Sequence, residues 1–454
     1  MSTGLQMYEF ADKFVTQTNR NIFLTGKAGT GKTTFLQQIK EKIGKQMAVV
    51  APTGVAAINA GGTTIHSFFQ LPFAPFPPTY EGKKDLISKL KMQRNQRKVI
   101  RELELLVIDE VSMVRADVMD SIDTILRHLR FKPKVPFGGV QMIFIGDMYQ
   151  LSPVAKEEEW RILSAYYEGI YFFHSKVITE ENLLHIEFDK IFRQSDMNFI
   201  SLLNKIRNNK LDDEALKTLH QCYKPGFVAP QNDTYITLTT HNYKADRINQ
   251  EELEKIKTPS RFFKADVKGD FPEKSYPVDV ELELKLGAKV MFLKNDTETP
   301  RRFYNGKIGK ITDFDNDSIT VECAGNDKIE VSKMDWHNIR YKTDETTQLI
   351  DEEILGVFKQ FPLRLAWAIT IHKSQGLTFE KAIIDAGDAF AAGQVYVALS
   401  RCRSLEGVVL TSPINKNAIQ NDTKIVEFSS NKNSENELNT QLEKSQQDFF
   451  SQIL

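Results

Sequence analysis

Phosphate chemistry is the first thing the stretch Phe23 to Leu36, FLTGKAGTGKTTFL, suggests. Gly26, Gly31, Lys32 and Thr33 fit the spacing G-x-x-x-x-G-K-[ST]. Between an apolar strand and a helix, such a loop leaves backbone N–H groups that cradle phosphates together with the helix N-terminus. Lys32 is expected to reach the terminal phosphates, and the Thr33 hydroxyl to bind Mg²⁺. The chain should therefore bind a nucleoside triphosphate. LLVIDEVSMV sets Asp109 and Glu110 at the end of another apolar run. Behind a phosphate loop such an Asp holds Mg²⁺, and the neighbouring carboxylate polarises the attacking water. Without the loop, the two would read as an acidic pair capping a buried strand. QMIFIGDMYQLSPV ends a further run in Gly146-Asp147, then Gln150 and Pro153. A Gln at that point can sense the γ-phosphate. Arg193 in KIFRQSD and Arg401 in QVYVALSRCRS could stabilise the charge that develops on the transferred phosphoryl group. Each alone could equally be a surface salt-bridge partner. Both lie far along the chain from the phosphate loop, so the site is expected to close between two units.

Those residues need a frame. NIFLTG, QMAVVAPT, LELLVIDE and QMIFIGD alternate with helical patterns, which implies an α/β fold with a parallel sheet covered on both faces. The polar residues fall at the carboxyl ends of the runs, as the crevice rule for open sheets expects. A second α/β unit should begin near His185 and include TYITLTT, LAWAITIH and KAIIDAG. Between its strands, AKVMFLKN, GKIGKITDF, SITVEC and KIEVS read as a small inserted β-barrel. FFQLPFAPFPPTY, residues Phe68 to Tyr80, interrupts the first unit. Its prolines exclude a helix or a central strand. It reads as a surface loop or, given Phe68, Phe69, Phe73 and Phe76, as an element whose solvent-facing rings have a use. The expected division is 1–63 and 92–184 for the first unit, with 64–91 inserted in it. The second takes 185–285 and 361–414, with 286–360 inserted, and a polar tail covers 415–454. The tail is expected to be a surface helix or disordered.

Bulk composition narrows the class. Apolar residues make up 41% and charged residues 26%, typical of a globular protein. Cys222, Cys323 and Cys402 lie far apart, which argues against disulfides and zinc and for a reducing interior. No segment approaches a membrane span, and the N-terminus does not read as a signal peptide, so a cytoplasmic protein is expected. The net charge of −1 lacks the usual basic footprint of a nucleic-acid binder, so such a partner is absent or its basic groups are confined to one place.

GKAGTGKTT, APTGVAAINAGGTTIHSFF, VIDEVSMV, FIGDMYQLSPV, IFRQ, TIHKSQGLTF and VYVALSRCRS follow in that order. The chain resembles a helicase of the Pif-one family, in the RecD-like, 5′-to-3′ branch of superfamily 1, with a compact bacterial or phage-type core. DVMDSIDTILRHLR resembles that family's signature stretch, and its Val118, Ile122, Ile125, Leu126 and Leu129 fit one face of a helix. The resemblance implies tandem RecA-like domains with ATP and Mg²⁺ between them, a wedge at the duplex fork in 64–91, and an SH3-like barrel in 286–360. Nucleotide contacts then extend to Ala28, Gly29, Thr30, Thr34 and Gly376, with Gln6 reading adenine. DNA contacts fall on Thr53, Gly54, Thr64, His66, Pro153, Thr240, His241, Asn242, His372, Lys373 and Ser374, and the wedge rings are Phe73 and Phe76. Hydroxyls, backbone N–H groups and histidines suit a sequence-tolerant phosphate track, which a chain of neutral net charge can hold. The implied partners are single-stranded DNA and its junctions with duplex, met by a monomer or by a dimer on DNA. The implied roles are repair, recombination and telomere maintenance. Two other readings stand beside this one: a nucleotide-controlled clamp on DNA without processive motion, and a small-molecule P-loop kinase. The kinase leaves the second α/β unit without a purpose.

Overall fold

The computed structural model describes residues 3–194, 196–230, 233–298, 302–315, 317–343, 349–385, 393–414 and 422–453. They form two compact units. The first comprises Met1–Phe192, Asn338–Leu355 and Thr423–Leu454, and the second Arg193–His337 and Gly356–Asp422.

Unit one is built on six parallel strands: β1 (Ile22–Gly26), β2 (Met47–Ala51), β3 (Thr63–Thr64), β4 (Leu105–Ile108), β5 (Gln141–Ile145) and β6 (Leu184–Phe188), in the order β3-β2-β4-β5-β1-β6. The strands are short apolar runs because helices cover both faces, so inward and outward positions are equally dry. All four residues of β4 and all five of β5 are buried. The core joins Phe10 and Phe14 of the first helix to Ile22, Leu24, Phe35, Val107, Ile143 and Ile186. The boundary expected at 185 falls inside β6. That strand pairs in parallel with β1, Ile22 opposite Leu184 and Gly26 opposite Phe188, so it completes the first sheet. The tail takes the surface-helix form of the two expected for it, with an apolar side that docks on unit one. Residues 415–421 lie outside the described residues, but Thr423–Ser430 and Glu435–Ile453 are helices of unit one. Leu438 and Leu442 enter the core beside Phe10 and Phe14, and Phe428 stacks on Phe173 at 4.2 Å.

The helix Ala116–Leu129 buries Ile122, Ile125, Leu126 and Leu129 as its periodicity requires, with Val118 half-buried. It also buries three aspartates, each anchoring a neighbouring segment. Asp117 accepts from the Phe76 N–H (3.1 Å) and from Arg115. Asp120 accepts from Tyr167 Oη and from the N–H groups of Lys176 and Val177, and Asp123 from Arg127 and the Phe137 N–H. Such pairing is what lets carboxylates stay inside a core.

Unit two has a four-stranded parallel sheet. Its first strand is β7 (Ile236–Thr239). An antiparallel insertion follows: β8 (Arg261–Lys264), β9 (Asp266–Gly269), β10 (Glu281–Leu284), β11 (Lys289–Phe292), β12 (Ile308–Phe314), β13 (Ser318–Cys323), β14 (Asp327–Ser332), β15 (Met334–Thr343), β16 (Ile350–Gln360) and β17 (Leu363–Leu365). The chain then returns with β18 (Ala368–Thr370), β19 (Ala382–Ile384) and β20 (Val408–Leu410), giving the order β18-β7-β19-β20. The insertion is wider than the 286–360 read from sequence. β17 pairs with β11, and Leu282 and Leu284 of β10 share its core with Val290, Phe292 and Phe361, so it begins at Arg261. Residues 338–355 group with unit one, where the Val49 N–H donates to Tyr341 Oη at 3.0 Å.

Candidate active site and nucleic-acid interface

The phosphate loop joins β1 to the helix Lys32–Lys42. Gly26, Gly29 and Gly31 sit at φ of 152°, 84° and 88°. At Gly26 a Cβ would come within 2.6 Å of the Phe188 carbonyl, so glycine is required there by close approach as well as by backbone angle. Lys32 Nζ donates to the carbonyls of Gly26 (2.6 Å) and Lys27 (3.1 Å), and Thr30 Oγ1 donates to Lys27 O (2.9 Å). Lysine is thus already folded over the loop mouth. Ala28 and Thr30 are buried in the loop, while Thr33 and Thr34 are exposed on the first helical turn. Gln6 is half-buried on the helix Thr3–Gln17 of the same unit.

Asp109 follows β4, and burial pushes its carboxyl up to about 6, against the Glu110 N–H and the Lys32 charge, which favour the ionised form. Glu110 holds φ 51°, ψ 43°, a left-handed conformation that costs a branched-chain-free but non-glycine residue of order 1 kcal/mol or more. That strain turns the chain sharply at the carboxylate. Asp147 and Gln150, both buried, face each other across 3.4 Å (Gln150 Nε2 to Asp147 Oδ2). Glycine at position 146 lets β5 pass close to the Asp109–Glu110 turn, since a Cβ there would lie 3.1 Å from Val111 Cγ1 and 3.2 Å from the Ser112 nitrogen.

In unit two, Arg193 donates to the carbonyls of Ser400 (3.3 Å) and Gly376 (3.4 Å). Buried Arg401 donates to Val397 O (3.0 Å) and Ser400 Oγ (2.9 Å). Burial, followed by the like charge of Arg401, pushes the Arg193 guanidinium down to about 9. An anion beside them would oppose that shift by favouring the charged guanidinium. Gly376, expected at the nucleotide, is thus a neighbour of these arginines.

The residues expected on DNA divide between the units. In unit one Thr53 and Thr64 cap the helices Gly54–Ala60 and Ile65–Phe69, their hydroxyls accepting from Ala56 and Ser67 N–H at 3.2 Å each. His66 stacks on Phe73, ring centres 4.8 Å apart and 11° from parallel. Pro153 is buried after β5, in the segment that follows Gln150. In unit two the Thr240 hydroxyl lies 2.7 Å from His241 Nδ1, and Asn242 opens the next helix. His372 and Lys373 are exposed beyond β18. Ser374 is not available as expected: its hydroxyl is fully buried and donates to Ile371 O at 2.7 Å. Phe76 is likewise no wedge ring. It is 7% exposed and held by Asp117, whereas Phe73 is 84% exposed. Phe69 is also buried and Phe68 half-buried, so Phe73 is the one phenylalanine of the proline-rich segment that faces solvent, with Tyr80 exposed at the segment's end. A cavity of about 410 Å³ lies beneath it, walled by Ile65, His66, Phe73, Phe76 and Val154.

Sequence reasoning missed Phe192. It is 68% exposed, its N–H donates to Gly29 O at 2.8 Å, and its ring lies 3.7 Å from where a Gly31 Cβ would be. An aromatic beside the phosphate loop was visible in KIFRQ as the neighbour of Arg193, but its contact is with a loop some 160 residues earlier. Tyr243, 63% exposed and 5.5 Å from His241, was missed in the same way.

A phosphate loop, a strand-end Asp-Glu pair and paired arginines on two parallel sheets define a P-loop NTPase with tandem RecA-like domains. Residues 6–217 match the PIF1-like helicase family model. The chain is 30% identical over 442 residues to the ATP-dependent DNA helicase Pif1 of Campylobacter jejuni, covering 90% of this chain and 94% of that protein. It resembles the crystal structure of Bacteroides sp Pif1 in complex with ADP-AlF4, with a TM-score of 0.86, 40% identity, and coverage of 94% and 96%. For Bacteroides Pif1 bound to ssDNA the TM-score is 0.65 at 41% identity, over 94% and 96% of the two chains. The chain belongs to the PIF1-like helicase family. Among the described residues no helix is long and apolar enough to cross a membrane.

Proposed function

We propose that this chain is an ATP-dependent DNA helicase that moves 5′ to 3′ along single-stranded DNA and unwinds the duplex or folded DNA ahead of it. The observation that carries the reading is a division of labour: a complete phosphate cradle in unit one, and in unit two the part-exposed Arg193 beside the buried Arg401, two like charges that donate to carbonyl oxygens. Lys32 and the loop N–H groups bind the phosphates, Gln6 meets the adenine, and Gln150 senses the γ-phosphate. Mg²⁺ fits the oxygens of Thr33 and Asp109, and a divalent cation would favour the ionised form that burial of Asp109 opposes. When bound it neutralises phosphate charge. Glu110 accepts the proton of the attacking water, and Arg193 and Arg401 offset charge on the transferred group. Hydrolysis is thereby tied to both units.

On the DNA side, Thr53, Gly54, Thr64, His66 and Pro153 in one unit, and Thr240, His241, Asn242, His372 and Lys373 in the other, hold the strand by its backbone. Phe73, supported by His66, meets the fork. The relatives named as DNA helicases and the Bacteroides protein bound to ssDNA support DNA as the partner. The working form is a cytoplasmic monomer, which a second copy can join on DNA. The test is ATP turnover with and without single-stranded DNA, together with unwinding of substrates tailed only at the 5′ or only at the 3′ end. Strong stimulation and unwinding from the 5′ tail are expected. Turnover indifferent to DNA, or unwinding from the 3′ tail alone, would refute the assignment.

A further inference from the structure

Net charge near zero conceals a segregation. Residues 89–101 and 127–134 hold ten of the chain's 59 lysines and arginines and none of its 60 aspartates and glutamates. The fold brings these stretches together in unit one. Arg101 Nε donates to Leu129 O at 3.2 Å, and its guanidinium lies 5.1 Å from the ring centre of Phe131. Arg130 Nη1 donates back to the carbonyls of Ile100, Arg101 and Leu103 at 3.0, 2.6 and 2.6 Å. Lys91, Arg94, Lys132 and Lys134 are exposed around this junction.

The position of this face matters as much as its charge. The proline-rich segment leaves the carboxyl end of β3, and the helix Arg94–Glu102 leads back to the amino end of β4. Gln70 Nε2 donates to Gln96 Oε1 at 2.9 Å, tying the first turn of that helix to the base of the segment. From there the helix runs about 13 Å, a distance that spans about four base pairs and about eight phosphates of a duplex. Glu102 and Glu104 close the patch where β4 begins.

We propose that this basic face binds the phosphate backbone of the duplex arm that the proline-rich segment parts. The inference rests on the helicase reading above. A duplex fits better than a single strand. The single-strand residues of this unit follow the carboxyl ends of strands, whereas this face runs toward the amino ends. It also exposes few rings for bases to stack on, and charge without stacking suits a paired backbone. An acidic protein would ask for an apolar centre, which the isolated Phe131 and Val135 side chains do not make.

The test is the full chain carrying Lys91→Gln, Arg94→Gln, Lys132→Gln and Lys134→Gln. Affinities for a blunt duplex, a fork and a single strand are measured without nucleotide over a range of salt, with DNA-stimulated ATP turnover alongside. Duplex and fork affinity should fall about ten-fold or more at low salt, and the salt slope for duplex should shrink by about 3 to 4, roughly 0.9 per lost phosphate contact. Single-strand affinity and stimulated turnover should stay within about two-fold, and an unchanged melting temperature will exclude misfolding. Equal losses on duplex and single strand would assign the face to the single-strand track and overturn the proposal. Unchanged duplex binding would overturn it too. Wild-type turnover indifferent to single strands would instead break the helicase reading, leaving the nucleotide-free duplex measurement to judge the face.

Discussion

At the strand ends of unit one, a lysine, a glycine loop and the carboxylates Asp109, Glu110 and Asp147 surround one small volume. At the corresponding end of unit two, the notable groups are guanidiniums, Arg193 and Arg401, donating to carbonyl oxygens and a hydroxyl. On the helicase reading, the first sheet would meet phosphate mainly by backbone geometry, with Gly26 leaving no room for a side chain. The second would meet it by the charge of its guanidiniums. Backbone geometry fits a ground-state triphosphate, while charge responds to what changes during reaction. Nucleotide binding and nucleotide turnover should therefore be separable by mutating one unit or the other.

The largest effect is expected in unit one. Lys32→Ala should abolish measurable ATP turnover while the melting temperature stays near wild type, because Lys32 bonds to its own loop and contributes nothing to the core. A folded variant with near-normal turnover would break the comparison at its strongest point. Next comes unit two. Arg193→Ala and Arg401→Lys should still bind a fluorescent nucleotide, with turnover reduced about 10³-fold or more for Arg193→Ala. Arg401→Lys keeps a cation in a buried place and should lose most of its turnover as well, since the planar fork cannot be replaced. Turnover within a few-fold of wild type in both would show that the two sheets do not share a site.

A third measurement separates the units by stability. His185 in β6 is packed against Phe23 and Phe428, and burial pushes its imidazole down to about 4. Its folded value lies below the ordinary 6.5, so the neutral form is the one the fold keeps. Its contribution is fully present above pH 6.5 and is lost as pH falls toward 4, reaching roughly 3 kcal/mol. Unit one should lose stability in that window, and His185→Phe should flatten the loss. An unchanged pH dependence in His185→Phe would rule out this origin. The smallest effect sharpens the view of the insertion in unit one. Phe73→Ala should leave DNA-stimulated turnover intact and slow unwinding by the loss of about 1–3 kcal/mol of stacking. Phe76→Ala should instead lower the melting temperature through a cavity worth about 3–5 kcal/mol. Parallel losses of turnover and unwinding in Phe73→Ala would make that ring structural support.

Local chemistry was legible in the sequence. The phosphate loop, the Asp109–Glu110 strand end and both parallel sheets follow from spacing and apolar runs that act within a few residues. What the sequence hid was non-local. LLHIEF reads as a strand, but nothing in it says that its neighbour is β1 rather than a strand of the next unit. Phe73 and Phe76 have the same type and the same proline-rich context. The Asp117 carboxylate, 41 positions later than Phe76, anchors the Phe76 backbone on the buried side, a contact that the local sequence does not announce. Ser374 was expected on DNA from the family resemblance, yet the turn after β18 spends its hydroxyl on Ile371. The polar tail was legible as a surface helix, but its average composition hid the one apolar face, supplied by Leu438 and Leu442, that docks on the core.

That tail has a consequence for how the molecule is made. Phe10 and Phe14 wait for Leu438 and Leu442, more than 420 residues downstream, before their side of the core is covered. At about 5–20 residues per second, the nucleotide unit begins first, and from Phe192 to Leu438 it is left unsealed for about 12 to 50 seconds while the second unit is synthesised. During that interval the first helix exposes the apolar face that Leu438 and Leu442 later cover. A chain ending before Leu438 would keep every nucleotide motif and still lack the cover on this side of its first unit, so the last helix acts as the seal on a core laid down at the start of synthesis.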